Sequence, residues 1–323
     1  MLVTEYLRHS LQYRRLFARL PLGPGAYRER LLDAMAWLLV DLHRNGVFWG
    51  DCSLANTLFR RDGDRIQAFL VDAETSEAHP SLSDGQRAWD LEILVENVAF
   101  GLADLAAMQG RDDAEDAVEV ALGVRARYET LWRELTDVRE VAADDRYGMS
   151  ARIRRLNELG FSVDELELVP AAPGTVRMRL AVTTRRFHAR ELETRTGIRA
   201  LEGQARLLLN DLREYRAWVE RTEGIALARA EATRRWLSDV FLPVLERIEA
   251  AIGPNRDRIQ AYCDVLELKW ILSERARRDV GLVAAIEAYL EQGAPAPEGT
   301  DAGPSEETGT LELDELDEPG LGG

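Results

Sequence analysis

The stretch HRNGVFWGDCSLANTLF, residues 43–59, decides how the first half of this 323-residue chain is interpreted. It holds Asp51 and Asn56, a carboxylate and an amide five residues apart, between two apolar runs. Upstream, apolar residues recur at helical spacing through residues 27–44, which predicts an amphipathic helix that ends before Gly46. The polar pair is therefore predicted to lie on the loop that follows a helix.

A β-hairpin is predicted directly after this loop. Residues 56–60 and 66–71 have the composition of strands, and they flank the polar turn RDGD at residues 61–64. The second strand leads directly into Asp72. The hairpin therefore returns the chain to the place where its first strand began.

This return brings a second carboxylate towards the polar pair. Folding the hairpin back places Asp72 close to Asn56, so that it shares one space with Asn56 and Asp51. Carboxylate and amide oxygens suit Mg²⁺, which takes few protein ligands together with phosphate oxygens and water. The spacing therefore predicts a magnesium site in which residues 51, 56 and 72 converge.

The charge of the chain is acidic and uneven. The formal net charge is -16, and residues 293–323 hold nine acids and no base. That tail is rich in Gly and Pro and has few large apolar residues, so we predict that it is disordered. The acidity argues against general nucleic-acid binding, because phosphates would be repelled.

Composition also excludes several classes of protein. No apolar run approaches the ~20 residues that span a bilayer, and the first residues do not follow the pattern of a signal peptide. We therefore expect a cytoplasmic protein. Cys52 and Cys263 lie far apart, which predicts neither a disulfide nor a zinc site. Cys52 is interpreted as a small buried residue rather than as a reactive thiol.

The pattern along the chain predicts a mostly helical α+β protein with three parts. Two apolar helices are expected over 90–108 and 114–135, and shorter ones over 10–20 and 150–159. A second hairpin is expected over 165–183, and the remainder is helical. We place the domains at residues 1–140, 141–292 and 293–323.

The order of Asp51, Asn56, hairpin and Asp72 is the order of a protein-kinase-type phosphoryl-transfer site. The stretch GDCSLAN, residues 50–56, resembles the catalytic loop of kinase-like enzymes of the aminoglycoside and choline kinase branch. The stretch VDAE, residues 71–74, resembles the metal-binding segment of that branch. The resemblance implies that Asp51 accepts or orients the proton of a substrate hydroxyl. It also implies that Asn56 and Asp72 hold Mg²⁺, with Glu74 as a further candidate.

Two more stretches resemble parts of a kinase. LVTEYL, residues 2–7, resembles the hinge, where backbone groups around Glu5 and Leu7 would bind the adenine of ATP. RAWDLEIL, residues 87–94, contains Asp90, which resembles the acid that opens the central helix of the C-lobe. The resemblance implies that Asp90 ties down the catalytic loop and has a structural role.

A wider resemblance covers most of residues 1–290. VFWGDCSLANTLF and LVDAETSEAHPSLSDGQRAWDLEI resemble actinobacterial proteins that join a lipopolysaccharide-kinase (Kdo/WaaP)-like domain to a C-terminal domain of unknown function. RRLNELGFSVDELELVP and WILSERARRDVG resemble the second domain of those proteins. The implied architecture is a kinase-like C-lobe followed by a helical domain that contains a small β-hairpin.

A kinase of this fold also uses an N-terminal lobe with a Gly-rich loop and a strand lysine. The single lysine of this chain, Lys269, lies in the distal helical region. We therefore expect that the sequence begins at the hinge, and that the activity of the chain as written is weak or absent.

Three functions remain open from the sequence. The first is a kinase-like transferase that moves phosphate from ATP to a hydroxyl on a sugar, lipid or protein. The second is a pseudokinase-like scaffold whose helical domain carries contacts with a protein partner. The third is a nucleic-acid-binding regulator built on arginines of residues 150–190, for which a solvated face with local acids is the favoured interpretation.

Overall fold

The computed structural model describes residues 7–13, 16, 26–108, 110, 114–142, 144–172 and 175–294. This part of the chain is α+β and mostly helical, which confirms the predicted fold class at that level. The predicted acidic tail lies almost entirely outside the described residues, as does Glu5.

Ten α-helices can be named in the described residues, and the seventh and eighth are joined by a π-helical turn, Leu237–Phe241. Their positions follow the apolar spacing of the sequence closely in the first half of the chain. In order they are α1 Ala26–Arg44, α2 Asp84–Met108, α3 Ala114–Thr136, α4 Arg146–Glu158, α5 Phe187–Thr196, α6 Glu202–Glu223, α7 Arg229–Trp236, α8 Leu242–Ile252, α9 Arg258–Ala276 and α10 Gly281–Glu291.

The described strands form three small antiparallel sheets. The first has the order β1-β3-β4, the second pairs β2 with β5, and the third has the order β6-β8-β7. The strands are β1 Ser10–Gln12, β2 Val47–Phe48, β3 Thr57–Asp62, β4 Arg65–Leu70, β5 Glu77–Ala78, β6 Arg139–Ala142, β7 Phe161–Ala172 and β8 Thr175–Arg185.

The predicted helix over residues 10–20 is wrong at its start. Ser10–Gln12 is a strand that pairs antiparallel with β3, with Leu11 opposite Phe59. A three-residue edge strand is set by this distant partner and leaves no periodic signal of its own. The rest of the predicted helix lies largely outside the described residues.

Two hydrophobic cores organise the described chain. The first contains buried residues from Tyr13 to Met178, and the second contains buried residues from Ala189 to Ala294. Residues on both sides of position 140 share the first core, because α4 and the third sheet pack against it. The change from one core to the other therefore lies between 178 and 189.

The turn of the β3–β4 hairpin joins the two cores. Gly63 N donates to Gln260 Oε1 at 2.8 Å, and Gln260 Nε2 donates to Gly63 O at 2.9 Å. Asp62 Oδ1 accepts from Gln204 N at 2.8 Å at the beginning of α6. A Cβ on Gly203 would lie 2.2 Å from the Asp62 carbonyl oxygen, so the backbones meet without room for a side chain. Within the described residues, no helix is both long enough and apolar enough to cross a membrane.

Candidate functional site

The loop between β2 and β3 carries the first two predicted site residues. It is packed closely against the segment that leads into β5, because Thr75 Oγ1 donates to Trp49 O at 3.1 Å. Gly46 and Gly50 both have positive φ, +74° and +77°, and a Cβ on Gly46 would lie 2.0 Å from His79 O. Glycine therefore allows the chain to turn between α1 and β2 at Gly46, where it contacts the backbone of His79, and to turn again within the loop at Gly50.

Asp90 fastens this loop to α2. Its side chain is fully buried and accepts hydrogen bonds from Trp49 N at 2.7 Å and from Gly50 N at 2.8 Å. His43 Nε2 lies 3.0 Å from Asp90 Oδ2. Burial alone would raise the pKa of Asp90, but the hydrogen bonds from His43 and the two backbone N–H groups hold it below its usual value. Asp90 is therefore an ionised anchor for the loop.

His43 is part of this anchor. Its side chain is fully buried, and its Nδ1 lies 2.7 Å from the hydroxyl of Tyr128 on α3. The imidazole thus connects α3 to Asp90 and contacts no solvent. His43 therefore has a structural position beneath the loop.

Asp51 lies on the loop with both carboxylate oxygens engaged. Asn56 Nδ2 donates to Asp51 Oδ2 at 2.7 Å, and Asn97 Nδ2 donates to Asp51 Oδ1 at 3.0 Å. All three side chains belong to partly buried residues. The structure therefore brings Asp51 and Asn56 into contact. It also places Asn97 of α2 beside Asp51, which was not predicted from the sequence.

Asn97 has a signal in the sequence. It lies seven residues after Asp90 on the same helix, which places both side chains on one face, two turns apart. Because Asp90 was predicted to tie down the loop, a polar residue on the same face of the helix could have been predicted to lie near that loop.

Asp72 lies where the hairpin returns to the loop. Thr57 pairs with Leu70 in the sheet, and Val71 N donates to Asn56 O at 3.1 Å. Asp72 is the next residue, so the chain brings it beside Asn56. Its side chain is exposed, and its Oδ1 accepts from Glu74 N at 3.1 Å. Glu74 is exposed on the same turn.

The donor atoms around this turn are oxygens. Asn56 uses its Nδ2 on Asp51, which leaves its amide oxygen as the atom that can face a cation. Within the described residues, no group of three or more His, Cys, Asp or Glu side chains is arranged to hold a metal ion. Asp51, Asp72 and Glu74 therefore do not form such a group by themselves.

Leu7, predicted to contact adenine, lines a separate cavity of about 480 Å³. The other walls come from the adjacent Arg8 and His9, from Arg60 on β3, and from the second core, including Gln204. Asp51, Asn56 and Asp72 are not among the residues that line it. Glu5, the other predicted adenine-binding residue, lies outside the described residues.

Trp49 and Cys52 have structural positions in the loop. Both side chains are fully buried in the first core. Burial, and then the nearby Asp90 carboxylate, raise the pKa of the Cys52 thiol, so it is a poor nucleophile at neutral pH. The interpretation of Cys52 as a small buried residue is confirmed, and both cysteines are free.

Several arginines of the 150–190 region are engaged locally. Arg152 is buried and donates to Asp137 O at 2.6 Å, and Arg177 pairs with Glu140 at 3.1 Å. These two arginines therefore have partners within the protein.

Comparison with known families gives one match. The family model described as a domain of unknown function (DUF4032) matches residues 130–293. No curated protein matches the chain. Because the match covers just over half of the chain, we conclude that the protein belongs to the DUF4032 family.

Proposed function

We propose that this protein is a kinase-like phosphotransferase that moves a phosphoryl group from ATP to a hydroxyl, and that its first core corresponds to a kinase C-lobe. The observation that carries the proposal is the contact between Asp51 and Asn56 at 2.7 Å, on a loop that Asp90 fastens to α2. The hairpin then returns Asp72 to the side of Asn56. The resemblance to the lipopolysaccharide-kinase-like family supports the same interpretation.

In this proposal Asp51 is the general base. As a carboxylate it can accept the proton of the acceptor hydroxyl while that oxygen attacks the γ-phosphorus and ADP leaves. The amides of Asn56 and Asn97 each donate to one carboxylate oxygen, so they fix the orientation of the base. Each oxygen keeps a second lone pair with which to bind the substrate hydroxyl.

The donor set fits Mg²⁺. The exposed carboxylate of Asp72 and the amide oxygen of Asn56 are hard oxygen ligands at the open end of the β3–β4 hairpin, and Glu74 is a third candidate on the same turn as Asp72. Mg²⁺ typically keeps several waters and phosphate oxygens, so two protein ligands suffice. When bound, it would neutralise charge on the phosphates of ATP. The proposal places the protein in the cytoplasm, where ATP is available.

Calorimetry with ATP and Mg²⁺, followed by a transfer assay on sugar, lipid and protein acceptors, tests this function. We expect Asp72→Asn to abolish the part of ATP binding that depends on Mg²⁺. We expect Asp51→Asn to retain that binding but to lower the transfer rate by about a hundredfold or more.

Glu96→Gln is the matched control, because Glu96 is an exposed acid on α2 next to Asn97. It should change neither quantity. ATP binding that is the same with and without Mg²⁺, or transfer that persists in Asp51→Asn, would contradict the assignment.

The second candidate is a kinase-like scaffold that binds a protein partner through the helical region. The observation that favours it is the position of Leu7, whose cavity shares no residue with the set of Asp51, Asn56 and Asp72. A nucleotide bound in a single cleft would be expected to contact both groups of residues. A thermal shift measurement decides between the candidates: no shift with Mg²⁺ and ATP favours the scaffold.

A further inference from the structure

Another cavity lies at the turn end of the β3–β4 hairpin, away from the candidate active site. We call it the arginine cavity, and it has a volume of about 540 Å³. Its lining includes Arg65 on β4, Arg185 at the end of β8, Arg30 and Trp37 on α1, and Thr130 on α3. At ~3.4 Å per residue, the five steps from Arg65 to the other end of β4 span about 17 Å. The cavity is therefore separate from Asp72.

The lining of the arginine cavity is strongly cationic for a chain of net charge -16. The residues that line it include four arginines and one carboxylate, Asp33. Two of the arginines have acidic partners. Arg127 pairs with Asp33 at 2.8 Å and with Glu29, and Arg30 pairs with Glu267 at 3.2 Å. The positive charges of the other two, Arg65 and Arg185, are not neutralised by these ion pairs.

Arg65 and Arg185 form no ion pair with any acid in the described part of the chain. Arg185 donates from Nε to Leu159 O at 3.0 Å, and its guanidinium lies over the ring of Trp37 at 4.6 Å. Burial first, and then the charges of Arg185 and Arg206, lower the pKa of Arg65 to about 10, although the carboxylates of Asp64 and Asp62 oppose this shift. The charges of the two guanidinium groups thus act on each other, and like charges repel.

The acids nearest to Arg65 are engaged elsewhere. Asp64 pairs with Arg206 at 2.5 Å, and Asp62 accepts from Gln204 N at 2.8 Å at the beginning of α6. Asp62 and Asp64 act on Arg65, and Asp41 and Asp62 act on Arg185, only beyond ion-pair distance, so both guanidinium groups can accept an anion as a direct partner.

We propose that the arginine cavity binds a phosphate-bearing small molecule, with its phosphate between Arg65 and Arg185. Guanidinium groups bind phosphate oxygens in a bidentate manner, and two of them suit a doubly charged group better than one carboxylate. The cavity is larger than a single phosphate requires, and it lies within the range of small-molecule sites. Its apolar walls, formed by Trp37, Ile66, Leu131 and Leu159, would contact an organic part of the ligand.

The test measures the binding of three probes to the full chain by calorimetry and thermal shift, with EDTA present to exclude metal-dependent binding. The probes are inorganic phosphate, inorganic pyrophosphate and phenyl phosphate. Phenyl phosphate should bind more tightly than inorganic phosphate if the apolar walls contribute. We expect submillimolar binding of phenyl phosphate or pyrophosphate, and an increase in melting temperature.

Two variants and two matched controls locate the binding. Arg65→Gln removes one guanidinium and should weaken binding by about tenfold or more. Thr130→Glu adds a carboxylate at an exposed helical position of the lining, which disturbs the core little, and should weaken binding to a similar extent. The controls are Arg186→Gln, an exposed arginine next to Arg185, and Thr136→Glu, an exposed threonine on the same helix outside the lining.

The two controls should bind the probes as the wild type does, and so should Asp51→Asn, since the candidate active site is elsewhere. Failure of all three probes to bind would overturn the proposal. Equal loss in Thr130→Glu and Thr136→Glu would overturn it as well, even if Arg65→Gln did not fold.

Discussion

The two ends of the β3–β4 hairpin use carboxylates in opposite ways. At the turn end, Asp62 is only 1% exposed and accepts a hydrogen bond from the first turn of α6. At the open end, Asp72 and Glu74 are exposed, and the contact within their turn leaves oxygens accessible. The carboxylate of Asp62 is thus committed to joining the two cores, and the carboxylates of Asp72 and Glu74 remain accessible to a ligand. The candidate active site is at the open end, where the carboxylate oxygens of Asp72 and Glu74 are exposed.

The largest effect is expected from filling the backbone contact at the turn end. Gly203→Ala should lower the free energy of unfolding by about 3 kcal/mol, because its Cβ would meet Asp62 O and backbone would have to move. Urea unfolding measures this. Gly224→Ala is the control: Gly224 has φ +68° with nothing near its Cβ, so about 1 kcal/mol is expected. Equal losses of unfolding free energy in the two variants would show that the backbone contact between Gly203 and Asp62 has room for a Cβ.

The next effect concerns the hydrogen bonds at the same turn. Gln260→Leu leaves the buried N–H of Gly63 without its acceptor and removes one of the two donors to Gly63 O, the other being Arg61 Nη2 at 3.3 Å, which should cost about 2–3 kcal/mol. Gln67→Leu is the same substitution on β4. Gln67 Oε1 is buried without a partner among the described residues, so its removal should be neutral or stabilising. If the two variants unfold at the same urea concentration, the Gly63 contacts do not contribute as described.

At the open end, Asn97→Ala tests the orientation of the proposed base. Removing one of the two amides that bind Asp51 should lower the transfer rate by about tenfold, the equivalent of one hydrogen bond to a charged group. Affinity for ATP and Mg²⁺ should be unchanged, since Asn97 does not contact the proposed metal ligands. A change in affinity with an unchanged rate would assign Asn97 a different role.

The pH dependence of the free energy of unfolding reports on Asp62, the buried carboxylate at the turn end. Burial raises the pKa of Asp62, although the backbone N–H groups of Gly203 and Gln204 oppose this. The folded state therefore holds its proton more tightly than the unfolded chain, whose Asp pKa is about 3.9. The Asp62 contribution to the free energy of unfolding should decrease as pH rises from about 4 towards the raised value.

The measurement is urea unfolding between about pH 4 and pH 7. In Asp62→Asn this part of the slope should be lost, so the difference between variant and wild type should change with pH. A constant difference would mean that Asp62 has the same pKa in both states.

The smallest effect on stability is expected at Asp72. Asp72→Ala removes an exposed side chain and should change the free energy of unfolding by less than about 0.5 kcal/mol. A cost as large as that of Gln260→Leu would show that the open end is structural too, and the comparison between the two ends would fail.

Local patterns in the sequence predicted much of the first core. The helix of residues 26–44 and the β3–β4 hairpin were found because apolar spacing and the RDGD turn are local signals. The short strands β1 and β6 were missed, since each is defined by pairing with a strand far away in the chain. The second hairpin was found, but the sequence did not indicate that it belongs to the first core.

The candidate site shows the same division between local and distant signals. Asp51 and Asn56 are close in sequence, and their contact was expected from their spacing on one loop. Asn97 was missed because its contact with Asp51 depends on how α2 packs against that loop. The arginine cavity was likewise invisible, since Arg65 and Arg185 are 120 residues apart.

The central claim is that Asn56 and Asp72 hold one divalent cation beside Asp51. Electron paramagnetic resonance of Mn²⁺, with a non-hydrolysable ATP analogue present, tests it directly. We predict one bound Mn²⁺ in the wild type, loss of that signal in both Asn56→Ala and Asp72→Asn, and retention in Asp51→Asn. A wild type that binds no Mn²⁺, or variants that bind it as the wild type does, would contradict the claim.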